Sequence, residues 1–129
     1  MRIGLQSNTE ATYATTENSP GHLVSQAYCS AFPVGYSDQS ASSWEPLAWL
    51  MLDTTYEATF SAAATNAERT GNRNVLLTLV GGRVFGNWTG WILNAIRRAS
   101  TLHDGIGIGI GLAIVGYGSS TSRARTILT

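Results

Sequence analysis

Residues 74–99 read NVLLTLVGGRVFGNWTGWILNAIRRA, and this stretch narrows the possible folds most. Asn74 to Val80 is a short continuous apolar run, the pattern of a strand covered on both faces. Trp91, Ile92, Ala95, Ile96 and Ala99 mark one face of a helix, with Arg97 and Arg98 near its C-terminal end, where cations suit the helix dipole. Between the two lies Gly81 to Asn87, with three glycines in seven residues. Strand, tight loop and helix in this order form the repeating unit of α/β folds with parallel sheets.

The rest of the chain fits that unit. Ile3 and Leu5 alternate with Gly4 and Gln6 before polar residues take over, which predicts a short strand within residues 2–12. Residues 13–22 collect loop formers, with a turn signal at Pro20-Gly21. Leu23 to Val34 reads as a second strand with small or apolar residues on both faces, ended by Pro33. Ser42 and Glu45 have capping-box spacing, and Pro46 is expected in the first turn of a helix running from Trp44 to Ala67 or Glu68, with Gly71 past its end. Ile106, Ile108, Ile110 and Leu112 alternate strictly with glycines, the period of a strand. No helix-forming segment follows them, which removes a dinucleotide fingerprint. The expected fold is one α/β domain over residues 1–129, a mostly parallel sheet flanked by helices. Four strands leave at least one sheet edge exposed or paired with another chain.

Composition excludes several classes. The 129 residues carry a formal net charge of zero, and all eight basic residues are arginine. A nucleic-acid partner calls for a basic patch and a high pI, so none is expected. Cys29 is the single cysteine and His22 and His103 are the two histidines. That excludes an internal disulfide framework and a multi-cysteine metal site, so neither metal nor cofactor is expected. There is no basic region followed by an apolar core at the start, and no apolar run of about 18 residues. The expectation is a soluble cytoplasmic protein with no membrane partner. Asn87-Trp88-Thr89 matches the glycosylation pattern, but without a secretory signal it reads as a chance match.

The glycine loop carries the functional signal. A strand that opens into a helix leaves N–H groups unpaired at a positive dipole end, and glycines let the backbone approach an anion. In open α/β sheets ligands sit at the carboxyl ends of the strands, where this loop falls. Phosphate or diphosphate is the natural ligand, although the Gly-Lys-Ser/Thr ending of a Walker loop is missing. Phe85 then stacks on a sugar or base. On the alternative, the glycines only turn the chain and Phe85 folds inward.

The strand, GGRVFGN loop and helix resemble the second phosphate-binding loop of macrodomains near the poly(ADP-ribose) glycohydrolase branch, and VSQAYCSAFPV is similar to a strand of that neighbourhood. The order of elements matches from about Val24 to Gly118; the specific match is Gly81 to Asn87. The resemblance implies a macrodomain-like α/β sandwich that binds ADP-ribose or an ADP-ribosylated protein. Gly82, Val84, Phe85, Gly86 and Asn87 would surround the diphosphate and distal ribose. Arg83, after Gly81 and Gly82, stands where a glycine is usual, and its guanidinium would either pair a phosphate or obstruct the cradle. A Gly-Asp-Ile-Thr-like adenine contact, the triple-glycine catalytic loop and the paired glutamates of the glycohydrolases are absent, and the chain is shorter than a complete macrodomain. Binding is therefore expected ahead of ADP-ribosyl hydrolysis.

For hydrolysis the candidate acid/base groups are Glu10 and Asn8, in a polar cluster after the first strand, and Asp38, in the loop after the second. Gln26 reads as a sheet-face residue and Cys29 as a buried small hydrophobe. Asp53 and Glu57, four apart, read as a solvated surface pair. The competing class is a structural or interaction protein forming homo-oligomers through exposed sheet edges. The classes separate at one place: a ligand module holds the Gly82 and Gly86 N–H groups open toward a cavity, whereas a structural protein bonds them internally or covers them with a partner.

Overall fold

The computed structural model of the chain describes residues 2–10, 21–104 and 109–116. Its elements are β1 (Gly4–Glu10), β2 (Leu23–Tyr28), α1 (Ala41–Thr70), β3 (Asn74–Leu77), α2 (Thr89–Asp104) and β4 (Gly111–Ile114), with 3-10 turns at Val34–Tyr36 and Arg83–Phe85. The chain is α/β, and the order of elements is the expected one. The alternating isoleucines Ile106 and Ile108 lie outside the described residues.

The single, mostly parallel sheet is not found. β1 and β2 form an antiparallel two-stranded sheet, and β3 and β4 form a separate parallel pair in the register Val75 to Leu112 and Leu77 to Ile114. Periodicity assigns residues to strands but says nothing of which strands pair. β1 also breaks register between Gln6 and Thr9. Asn8 sits in that bulge with φ of 55°, a left-handed conformation that asparagine tolerates better than most residues.

β2 stops six residues short of Val34 because the chain turns into the core there. Ala31 and Val34 are buried, Phe32 packs on Trp44 with ring centroids 4.9 Å apart, and the Ser30 carbonyl accepts a hydrogen bond from Thr55 Oγ1 at 2.8 Å. A hydroxyl on the helix thus replaces the next rung of the ladder.

Helix α1 begins earlier than the capping-box pattern predicts. Ser40 is its N-cap, so Pro46 lies inside the helix beyond its first turn. Gly71 closes it in the left-handed conformation, with its N–H on Ala67 O at 2.8 Å. Ala48, Leu52, Tyr56 and Phe60 recur every four residues and form the buried stripe of α1, as the geometry of a helix face requires. They meet Ile92, Ala95, Ile96 and Ala99 of α2, with Val75 and Leu77 of β3 completing the core. His103 pins the two helices together. Its Nδ1 lies 2.9 Å from Ala99 O, which only accepts, so the Nδ1–H donates; its Nε2 lies 3.2 Å from Ser61 Oγ, whose own proton goes to Glu57 O at 2.9 Å. No helix of the described residues is long and apolar enough to cross a membrane.

Candidate functional site

β3 leads through residues 78–80 into the glycine loop, and α2 leaves from its far end, so the loop stands at the carboxyl end of the parallel pair. The approach to the loop is anchored by Tyr56. Its hydroxyl donates to Thr78 O at 2.8 Å and accepts from the Val80 N–H at 3.0 Å. Burial pushes the phenol pKa up to about 12, against the lowering effect of the Val80 N–H; the neutral form is the one a dry site favours.

The loop closes on itself through Asn87, which is 5% exposed. Its backbone N–H donates to Gly81 O at 3.0 Å. Its Nδ2 donates to Gly81 O at 2.9 Å and reaches across to Phe32 O at 2.8 Å. Asn87 Oδ1 is buried without a hydrogen-bond partner among the described residues.

The Gly82 N–H donates to Leu79 O at 3.2 Å and the Gly86 N–H to Arg83 O at 2.9 Å. The open donors expected of a ligand module at these two residues are therefore not found; each closes a local turn. The glycines answer to packing instead. Gly86, at φ of 70°, lies against Gly35, and a Cβ on Gly81 would collide with that of Ala31. Phe85 is half-buried and meets the exposed Tyr36 edge-on, with centroids 5.8 Å apart. It is neither folded wholly inward nor free.

What the loop presents outward is Arg83 and Val84, both exposed. Arg83 has φ of 55°, a left-handed conformation that costs a side chain roughly 1–2 kcal/mol. No acidic side chain of the described residues pairs with its guanidinium. In the 3-10 turn the Arg83 and Val84 N–H groups come before the first carbonyl that could bond them within it.

The candidate acids are placed elsewhere. Asn8 and Glu10 are exposed or nearly so on β1, in the hairpin sheet and not in the sheet that leads into the loop. Asp38 is exposed in the segment between the Val34–Tyr36 turn and α1. Asp53 and Glu57 are not merely solvated: both face Arg98 of α2, with N–O distances of 3.7 and 2.9 Å. Gly35 and Tyr36 are the participants that sequence reasoning missed. The only signal was a glycine between apolar and aromatic residues in FPVGY. Among the described residues no group of three or more His, Cys, Asp or Glu is arranged to hold a metal ion.

No family model matches the chain, and no curated protein or solved structure matches it either.

Proposed function

We propose that the chain binds ADP-ribose or a related nucleotide diphosphate at the outward tip of the Gly81–Asn87 loop. The observation that carries this reading is Arg83, a cation with no acidic partner among the described residues, held at φ of 55° where the loop pattern favours glycine. Non-glycine residues in such conformations gather at ligand clamps, and a loop built only to turn gains nothing from an arginine there. The guanidinium takes the diphosphate, with the Arg83 and Val84 N–H groups beside it. The Tyr36–Phe85 pair offers an aromatic edge for the ribose or base. Gly81, Gly82, Gly86 and Asn87 hold the shape of the loop and do not touch the phosphates. Binding without hydrolysis is the form of this reading that the placement of Asn8 and Glu10 favours.

Calorimetric titration with ADP-ribose tests it, with AMP as the control lacking a diphosphate. Saturable micromolar binding, weakened about tenfold or more by Arg83→Ala and weaker for AMP, is the expected result. No heat at millimolar ADP-ribose, from a chain shown to be folded, sinks the reading.

A second reading is favoured by the internal bonding of the Gly82 and Gly86 N–H groups: a structural protein that assembles through its sheet edges. Two-stranded sheets are marginal alone, and unpaired edges invite another strand. Leu76 on β3 and Leu5 and Leu23 on the hairpin are more than half exposed, and zero net charge does little to keep copies apart. Sedimentation velocity over a hundredfold range of concentration decides this one; a monomer throughout removes it.

A further inference from the structure

A groove in the surface lies away from the glycine loop, between the first half of α1 and the length of α2. It measures about 520 Å³ and is lined by Trp49 and Asp53 of α1 and by Trp91, Asn94, Arg97, Arg98, Thr101 and Leu102 of α2. The volume falls in the range of small-molecule sites. Its spacing follows from the helices: Trp49 and Asp53 are four apart, and Trp91, Asn94, Arg98 and Thr101 recur every three or four residues, so each set shares a face.

The walls are aromatic and aliphatic. Trp91 is almost wholly buried and fixed by stacking on Trp88, with centroids 4.9 Å apart. Trp49 and Leu102, at 47% and 49% exposure, are too open to serve mainly as core. The two arginines differ in charge balance. Arg98 is held between Asp53 and Glu57, and its pKa is raised by the Glu57 hydrogen bond and by both carboxylates. Arg97 donates to the neutral amide oxygen of Asn94 and has no acidic partner among the described residues. A guanidinium with no acidic partner among the described residues therefore stands at the edge of an aromatic groove.

We propose that this groove binds a small aromatic carboxylate, its ring between Trp49 and Trp91 and its carboxylate on Arg97. The rings supply apolar area and offset or edge contacts; the guanidinium supplies a planar fork matched to a carboxylate. Arg98 offsets one of the two carboxylates it faces, and with Arg97 counted the charges of Asp53, Glu57, Arg97 and Arg98 cancel, so the groove as a whole does not repel the anion.

The test is titration of 1-naphthaleneacetate into the full chain, followed through the indole N–H signals in NMR, with the neutral 2-(1-naphthyl)ethanol as comparison. The Trp49 and Trp91 signals shift saturably while that of Trp44, whose indole N–H is engaged by Ser37 Oγ at 2.9 Å, stays in place. The carboxylate binds about fivefold more tightly than the alcohol, a preference that Arg97→Gln and added salt both remove, as for an exposed ion pair. Leu102→Glu, an exposed position that leaves folding intact, abolishes binding of the acid. Equal affinity for acid and alcohol in the unmodified chain overturns the proposal, as does shifting of all indoles together without saturation. An unbound, folded chain at millimolar acid overturns it too.

Discussion

Gly35 and Gly86 meet backbone to backbone: a Cβ on Gly35 would stand 2.7 Å from Val84 O, and one on Gly86 would stand 2.9 Å from both N and Cα of Gly35. Real Cβ atoms do not come that close to backbone. The turn before α1 and the loop before α2 are thus joined at a point where neither admits a side chain.

Alanine at either position forces the two segments apart. At Gly86 it also occupies a φ of 70°. Each variant is expected to lose about 1–3 kcal/mol in urea unfolding. Gly90→Ala is the contrast, since a Cβ there meets nothing within 4 Å and the residue lies in a helix. It should be neutral or stabilising by up to about 1 kcal/mol.

Arg83→Gly separates stability from binding. Glycine adopts the left-handed conformation freely but gains freedom in the unfolded chain, so the variant should be as stable as the parent or better by up to about 1 kcal/mol. The same change removes the guanidinium, so thermal unfolding should hold or rise while ADP-ribose affinity falls. A loss of both would mean that the arginine side chain holds the loop together.

Tyr56 links folding to alkaline pH. Its phenol titrates at about 12 in the folded chain against 10.0 ordinarily, so the folded state favours the neutral form. The contribution is complete below pH 10 and is lost as pH rises from 10 toward 12. Its full size is about 2–3 kcal/mol. Tyr56→Phe should cost about 1–2 kcal/mol at neutral pH, because it leaves Thr78 O and the Val80 N–H with only their mutual hydrogen bond at 3.0 Å. The gap between variant and parent should then narrow as pH is raised through that window, as read from urea midpoints.

Asn87→Asp tests the clamp that closes the loop. The amide Nδ2 donates to Phe32 O and Gly81 O, whereas a carboxylate offers only lone pairs to those carbonyls. Folding should favour the protonated acid and raise its pKa. The variant should therefore be strongly destabilised at pH 7 and recover part of the loss as pH falls below its folded pKa. Asn87→Ala should show no such recovery. Equal pH profiles for the two would show that the loop rearranges around the new side chain.

Much of the fold is readable from local pattern. The apolar run at Asn74, the face from Trp91 to Ala99 and the glycine that stops α1 each follow from nearest-neighbour physics. Pairing does not. Leu23 to Tyr28 reads as apolar or small on both faces, which suits a central strand, yet among the described residues it pairs with β1 alone. Nothing in its alternation distinguishes the two outcomes. The extension of β2 to Val34 failed because the Thr55 hydroxyl, 25 positions away from Ser30, takes the carbonyl that a strand would have used. At the loop the glycine spacing was legible as a special turn, but the reason for it was not. The decisive neighbour is Gly35, some fifty residues earlier in the chain.

The hairpin of β1 and β2 has a further consequence. Its residues are exposed or half-exposed, and it supplies none of the buried side chains of the core cluster. A unit with so little buried area opens without waiting for the rest of the molecule. Its amide protons should trade with deuterium through local fluctuation, in a regime insensitive to the urea dependence of global unfolding, while those of α2 from Ile92 to Ala99 exchange only when the whole chain lets go.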